Sequence, residues 1–112
     1  AKLYFKNLNL TDLKLPLVRK YSDHVFHLFT VYHPYRKKII EKLKDQLIET
    51  RIIYPYPIQN MNGYKKFFKG NKRLKNSEIK SKGIFCLPVY PELRDKEVIK
   101  VCNVIKKTLK KM

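Results

Sequence analysis

The chain has 112 residues, 44% of them hydrophobic and 12% aromatic, with 26 Lys and Arg against 9 Asp and Glu for a net charge of +17. That length and apolar content give one domain, residues 1–112, with one modest core, and exclude a disordered chain, which lacks large apolar residues to bury. The charge means either a solvated basic surface or attraction to phosphates and other polyanions; because the lysines are spread along the chain, the solvated surface is the default.

Residues 1–10 mix Lys2, Tyr4, Lys6 and two Asn, with no continuous apolar run, and are not a signal peptide. No segment reaches the ~18 apolar residues of a membrane span. Residues 13–17 read as a short extended lead-in ending at Leu15-Pro16. Residues 25–32, dense in β-branched and aromatic side chains, predict a strand covered on both faces, with His27 as a satisfied core histidine and His24 and His33 exposed at its ends. Pro34 suits the first turn of a helix. Ile39, Ile40, Leu43 and Leu47 form one stripe at helical spacing, with the lysines mostly outside it.

Residues 50–54 predict a second strand, ended by Pro55 and Pro57, which cannot donate to a ladder. Residues 60–68 predict a short helix with Met61, Tyr64 and Phe67 or Phe68 facing in, followed by a basic loop over 69–75. Asn76 or Ser77 caps another short helix, which Gly83 ends in the left-handed conformation. Residues 84–87 form a third strand, stopped by Pro88, and 89–93 a connecting turn. Asp95 caps a final helix whose Val98, Val101, Cys102, Ile105 and Leu109 make a clean apolar face, with lysines near its C-terminus complementing the helix dipole. The order predicts an α+β fold: a small sheet of about three strands with helices packed on it.

Five pieces of the chain, in order, resemble the DegT/DnrJ/EryC1/StrS aminotransferases. His24-Val25-Phe26-His27-Leu28-Phe29 is similar to that family's H-V-Y-H-L-F, and the helix near Arg36 to its R-x-x-L/I-x-x-x-L. Ile48 through Gln59 is similar to I-x-T-x-x-H-Y-P-x-P-I-H, Ser77-Glu78 to S-E, and residues 84–93 to L-S-L-P-x-Y-P-E-L. Each motif alone is weak; together they cover nearly the whole chain. The resemblance implies the C-terminal small domain of a fold-type I aminotransferase. The family uses pyridoxal phosphate to move an amino group from glutamate to a keto sugar carried on a nucleotide, in the making of surface polysaccharide, lipopolysaccharide O-antigen or glycosylated metabolites. By the same resemblance, the Schiff-base lysine and the other cofactor contacts belong to an N-terminal large domain that this chain does not contain. No catalytic, cofactor-binding or metal-binding residue is therefore assigned here, and the isolated domain is expected to be inactive. The implied partners are the large domain or a homologous subunit, and a nucleotide sugar. Self-association through apolar surface normally covered is also expected, and no membrane.

The resemblance implies substrate contacts at Tyr54 and Gln59; a Tyr-Pro packing corner is the alternative for Tyr54 and Tyr56. Four positions depart from the family pattern. Leu47 stands where the family has a glycine with positive φ, Ile53 and Gln59 where it has histidines, and Cys86 where it has serine. Gln59 can still hydrogen-bond but carries no proton charge. Leu47 and Gln59 leave open a remnant without function of its own. The run Lys65-Lys66-Phe67-Phe68-Lys69 leaves open a polyanion- or nucleic-acid-binding module, though no nucleic-acid motif accompanies it. The three histidines and two cysteines have no zinc spacing, and no carboxylate pair suggests acid/base work. Cys86 and Cys102, set in apolar runs without a CxxC, predict two buried free thiols and a reducing, cytoplasmic setting.

Overall fold

The computed structural model describes residues 1–68 and 74–112. Its centre is a two-stranded antiparallel sheet, β1 (Phe29–Tyr32) and β2 (Ile84–Leu87), with Phe29 opposite Leu87 and Tyr32 opposite Ile84. Single-residue bridges flank it on both sides. Lys14 exchanges backbone hydrogen bonds with Tyr32 (3.0 and 2.9 Å), and Arg51 with Cys86 (3.3 and 2.7 Å). Among the described residues four α-helices accompany the sheet: α1 (Lys2–Leu8), α2 (Arg36–Lys44), α3 (Lys75–Gly83) and α4 (Asp95–Leu109). The α+β class expected from the sequence holds.

Helix α4 is the spine of the core. Its Val98, Val101, Cys102 and Ile105 are buried, Leu109 packs at the margin, and both α1 and α2 lie against it. Its first residue is Asp95, and Arg94 takes the capping position instead. The Glu97 carboxylate accepts the Arg94 backbone N–H at 2.9 Å and its guanidinium at 2.8 Å, so the expected cap moves one residue. Helix α1 was not legible in the sequence: seven residues are too few for a periodic stripe, yet Tyr4 and Leu8, one turn apart, are fully buried. The Tyr4 hydroxyl donates to the Pro88 carbonyl at 2.8 Å and ties the helix to the far end of the chain.

Both thiols are buried and free, as expected, and burial pushes that of Cys102 up to about 11. Five other expectations change. The strand expected over 25–32 is only its last four residues. The His24 ring accepts the Phe26 N–H through Nδ1 at 2.9 Å and stacks on its ring, and Phe26 turns to φ 51°, which ends the extended run. Val25 is consequently 88% exposed. The strand expected over 50–54 shrinks to the Arg51 bridge, because Ile52 to Tyr54 diverge from β2 toward Pro55 with their side chains outward. Residues 60–68 give two single 3₁₀ turns, Ile58–Asn60 and Lys65–Phe67, with Tyr64, Phe67 and Phe68 exposed rather than facing in. Helix α3 starts at Lys75 behind Leu74, without a side-chain cap from Asn76 or Ser77. Most of the expected basic loop, 69–73, lies outside the described residues.

Gly83 is the fifth change. It ends α3, but its φ lies outside the left-handed region; the glycine is required by close approach. A Cβ there would lie 2.7 Å from Tyr32 Cδ2 and 2.8 Å from the His33 carbonyl oxygen. The same corner satisfies the end of α3. The His33 N–H donates to Gly83 O at 3.0 Å, and the Arg36 guanidinium donates to the carbonyls of Ser81 and Ile84.

Leu47 does adopt the left-handed conformation, at φ 58°. Ile48 N–H bonds to Leu43 O (3.0 Å) and Leu47 N–H to Lys44 O (2.9 Å), the paired bonds of a Schellman turn after α2, and Ile48 packs on the core. Leu47 therefore lies past the stripe in which its spacing placed it, with its side chain 96% exposed. A left-handed non-glycine residue costs roughly 1–2 kcal/mol, partly offset because glycine loses more entropy on folding. Leu47→Gly is expected to raise stability by about 0.5–1 kcal/mol, read as a rise of a few degrees in Tm by calorimetry.

Candidate functional site

Tyr54 and Gln59 sit on the irregular segment that leaves the sheet at Arg51. Two prolines hold this segment open, and the 3₁₀ turn after Pro57 closes through Asn60 N–H to Pro57 O at 2.9 Å and Met61 N–H to Ile58 O at 3.0 Å. Tyr54 and Tyr56 are 61% and 62% exposed, and Ile58, Tyr64, Phe67 and Phe68 continue the same outward display. Gln59 differs. Its residue is half-buried, and its Nε2 is sealed from solvent without an acceptor among the described residues. An unsatisfied buried donor of this kind costs about 1–3 kcal/mol.

A cavity of about 590 Å³ lies elsewhere. Residues 47–51, 86–90 and the N-terminal half of α4 wall it, with His27 and Leu28 at its edge; neither Tyr54 nor Gln59 lines it. The structure therefore separates the two expected substrate contacts from this concavity. The sequence had not singled out its charged groups, Glu49, Arg51, Glu97 and Lys100, whose helical and strand spacings look like ordinary solvated positions. All four are engaged. Arg51 Nε lies 3.1 Å from Glu49, and Lys100 Nζ donates to Gln46 O at 3.2 Å. Hydrogen bonds from Arg94 hold the Glu97 carboxyl down at about 2.

A pyridoxal phosphate holder needs a desolvated lysine amine, a carboxylate free to meet the pyridine nitrogen and a cluster of donors for the phosphate. The cavity's one lysine is exposed and bonded to a carbonyl, and its Glu97 is committed to Arg94. These residues do not fit the cofactor. Among the described residues, no three His, Cys, Asp or Glu side chains come together.

Two of the three histidines exchange their expected positions, while His24 is exposed as expected. His27, expected in the core, is exposed, whereas His33, expected outside, is 6% exposed. His33 Nδ1 accepts the Tyr35 N–H at 3.2 Å at the head of α2. Burial holds its pKa below the ordinary histidine value, with Asp12 opposing in part. A depressed folded-state pKa gives stability that is whole above about pH 6.5 and is lost as pH falls through the folded pKa. His33→Asn keeps an acceptor for Tyr35 without titrating. Urea unfolding of this variant between about pH 7 and 5 is expected to show a flatter pH dependence than the parent.

The small sheet, the connection through α2 and α3 and the helices behind it make an α+β fold that is shared with solved structures. A crystal structure of DesV from S. venezuelae, in complex with a ketimine intermediate, superposes with a TM-score of 0.87 at 24% identity, over 95% of this chain and 29% of that one. The chain belongs to the DegT/DnrJ/EryC1/StrS aminotransferase family, whose model matches residues 1–106. The dTDP-3-amino-3,4,6-trideoxy-alpha-D-glucose transaminase of Micromonospora megalomicea subsp. nigra is 36% identical over 98 residues. That match covers 83% of this chain and 26% of the relative. The GDP-perosamine synthase of Escherichia coli O157:H7 is 33% identical over 111 residues, covering 94% and 28%. The chain thus spans little more than a quarter of the length of these curated relatives.

Proposed function

We propose that residues 1–112 form the C-terminal small domain of a pyridoxal-phosphate-dependent aminotransferase acting on nucleotide-linked keto sugars, and that they act only with a large domain that carries the cofactor. The observation carrying this reading is the family match over residues 1–106 set against a span of little more than a quarter of each relative. The exposed aromatic segment, with Tyr54 and Tyr56 outward, supports it as surface for a cover that this chain does not supply. In this reading the Tyr54 hydroxyl and the Gln59 carboxamide oxygen contact the nucleotide sugar. The setting is cytoplasmic, in keeping with two free thiols. No helix among the described residues is long and apolar enough to cross a membrane.

The test compares the isolated chain with the same chain joined behind a large domain of this family. The isolated chain is expected to leave the absorbance of added pyridoxal phosphate unchanged, to transfer no amino group and to self-associate in sedimentation runs. The joined protein is expected to bind the cofactor and transaminate. In it, Gln59→Ala is expected to raise KM for the nucleotide sugar by about tenfold, as loss of one substrate hydrogen bond implies. Transamination by the 112 residues alone would overturn the reading.

A further inference from the structure

The second concavity, a groove of about 430 Å³, runs between the outer faces of α2 and α4. Lys38 and Lys42 stand on one wall and Lys107 and Lys111 on the other, with Asn103 at the α4 side. All four lysines are exposed. Lys38 and Lys42 are one turn apart on α2, about 6 Å along the helix axis, and Lys111 follows Lys107 just past the end of α4. The groove's one carboxylate, Asp45, lies 2.8 Å from Lys42 Nζ. Four ammonium groups against one carboxylate leave it strongly positive, on a chain already at +17. Helix dipoles account for Lys42 and Lys107, each in the last turn of its helix, but not for Lys38 or for the two cationic rows facing each other across one groove.

We propose that this groove is a docking surface for the phosphate backbone of double-stranded nucleic acid, independent of the aminotransferase reading. Cations on both walls suit a ridge of phosphates seated between them, each lysine acting as a point charge on a phosphate oxygen. No aromatic side chain lines the groove, so it offers no platform for unstacked bases, which a single-strand surface uses. Nor does it carry a large exposed apolar side chain of the kind that anchors an amphipathic face in a lipid interface. The contact reads backbone and not sequence.

The test is fluorescence anisotropy with a labelled duplex of about 20 base pairs and the purified chain over a series of KCl concentrations. Four neutralised phosphates predict affinity falling roughly 100-fold between about 50 and 200 mM salt. Reversing the groove (Lys38→Glu, Lys42→Glu, Lys107→Glu, Lys111→Glu) is expected to weaken binding more than about tenfold at about 100 mM salt. Reversing Lys2, Lys6, Lys14 and Lys20 changes net charge equally and is expected to weaken it less than about threefold. Circular dichroism checks that both fold, and the four groove Lys→Gln changes provide a milder second set. Equal losses in the two sets would overturn the assignment to the groove. Absent duplex binding, tighter binding of a single strand, or binding only to phosphatidylserine vesicles would overturn the assignment to duplex.

Discussion

Replacing Phe29 with alanine is expected to remove about 3–5 kcal/mol of stability, the range for truncating a buried phenylalanine. Phe29 is fully buried at the start of β1, opposite Leu87. Its ring lies 4.8 Å from that of Tyr4, 5.3 Å from Phe5 and 5.8 Å from Phe26. Truncation opens a cavity where α1, the turn at Phe26 and the sheet meet, and each lost ring pair adds about 0.5–1.5 kcal/mol beyond area. Domains of this size hold about 5–15 kcal/mol in total, so the variant is expected to be partly or wholly unfolded at 37 °C. Urea titration followed by circular dichroism measures it. A loss under about 1 kcal/mol would mean that the aromatic cluster is not the keystone this packing makes it.

Gly83→Ala is expected to be the next most damaging single change, although it adds only one methyl group. The added Cβ meets the Tyr32 ring and the His33 carbonyl. Neither yields cheaply. Tyr32 is held in β1 opposite Ile84 and by the Lys14 bridge, and the His33 N–H is already bonded to Gly83 itself. Overpacking of this kind costs about 1–3 kcal/mol. A thermal melt is expected to fall by on the order of 10 °C. Gly63 is the control: a Cβ there meets nothing within 4 Å, so Gly63→Ala is expected to leave Tm nearly unchanged.

The elements most legible in the sequence are those whose apolar residues are covered within this chain. The spacing of Val98, Val101, Cys102 and Ile105 gave α4, the Ile84–Leu87 run gave β2, and the resemblance placed a left-handed residue at Leu47. What misled is aromatic and branched residues pointing outward. Val25, Ile53, Tyr64 and Phe67 have the letters of a core and the exposure of a surface, and a rule that turns every such run inward makes strands and helices where the chain makes turns. Gly83 shows a different limit. A glycine at a helix end signals positive φ or close approach equally well, and only the position of Tyr32 separates them. For the site, the sequence put Tyr54 at the end of a strand and Gln59 beyond Pro57, whereas the structure carries both on one irregular segment. The sequence offered no sign of the 590 Å³ cavity elsewhere, because the walls of that cavity come from three distant stretches.

The pairing of β1 with β2 also sets a timetable for the nascent chain. The two strands are separated by about 50 residues, and the Tyr4 hydroxyl reaches a carbonyl 84 positions away. At the ~5–20 residues per second of translation, β1 leaves the ribosome roughly 3–10 s before its partner strand exists. During that interval neither β2 nor α4 is present to cover the backbone edge of β1 or the rings around Phe29. Slowing elongation near residue 84 is expected to lengthen that exposure and lower the soluble yield.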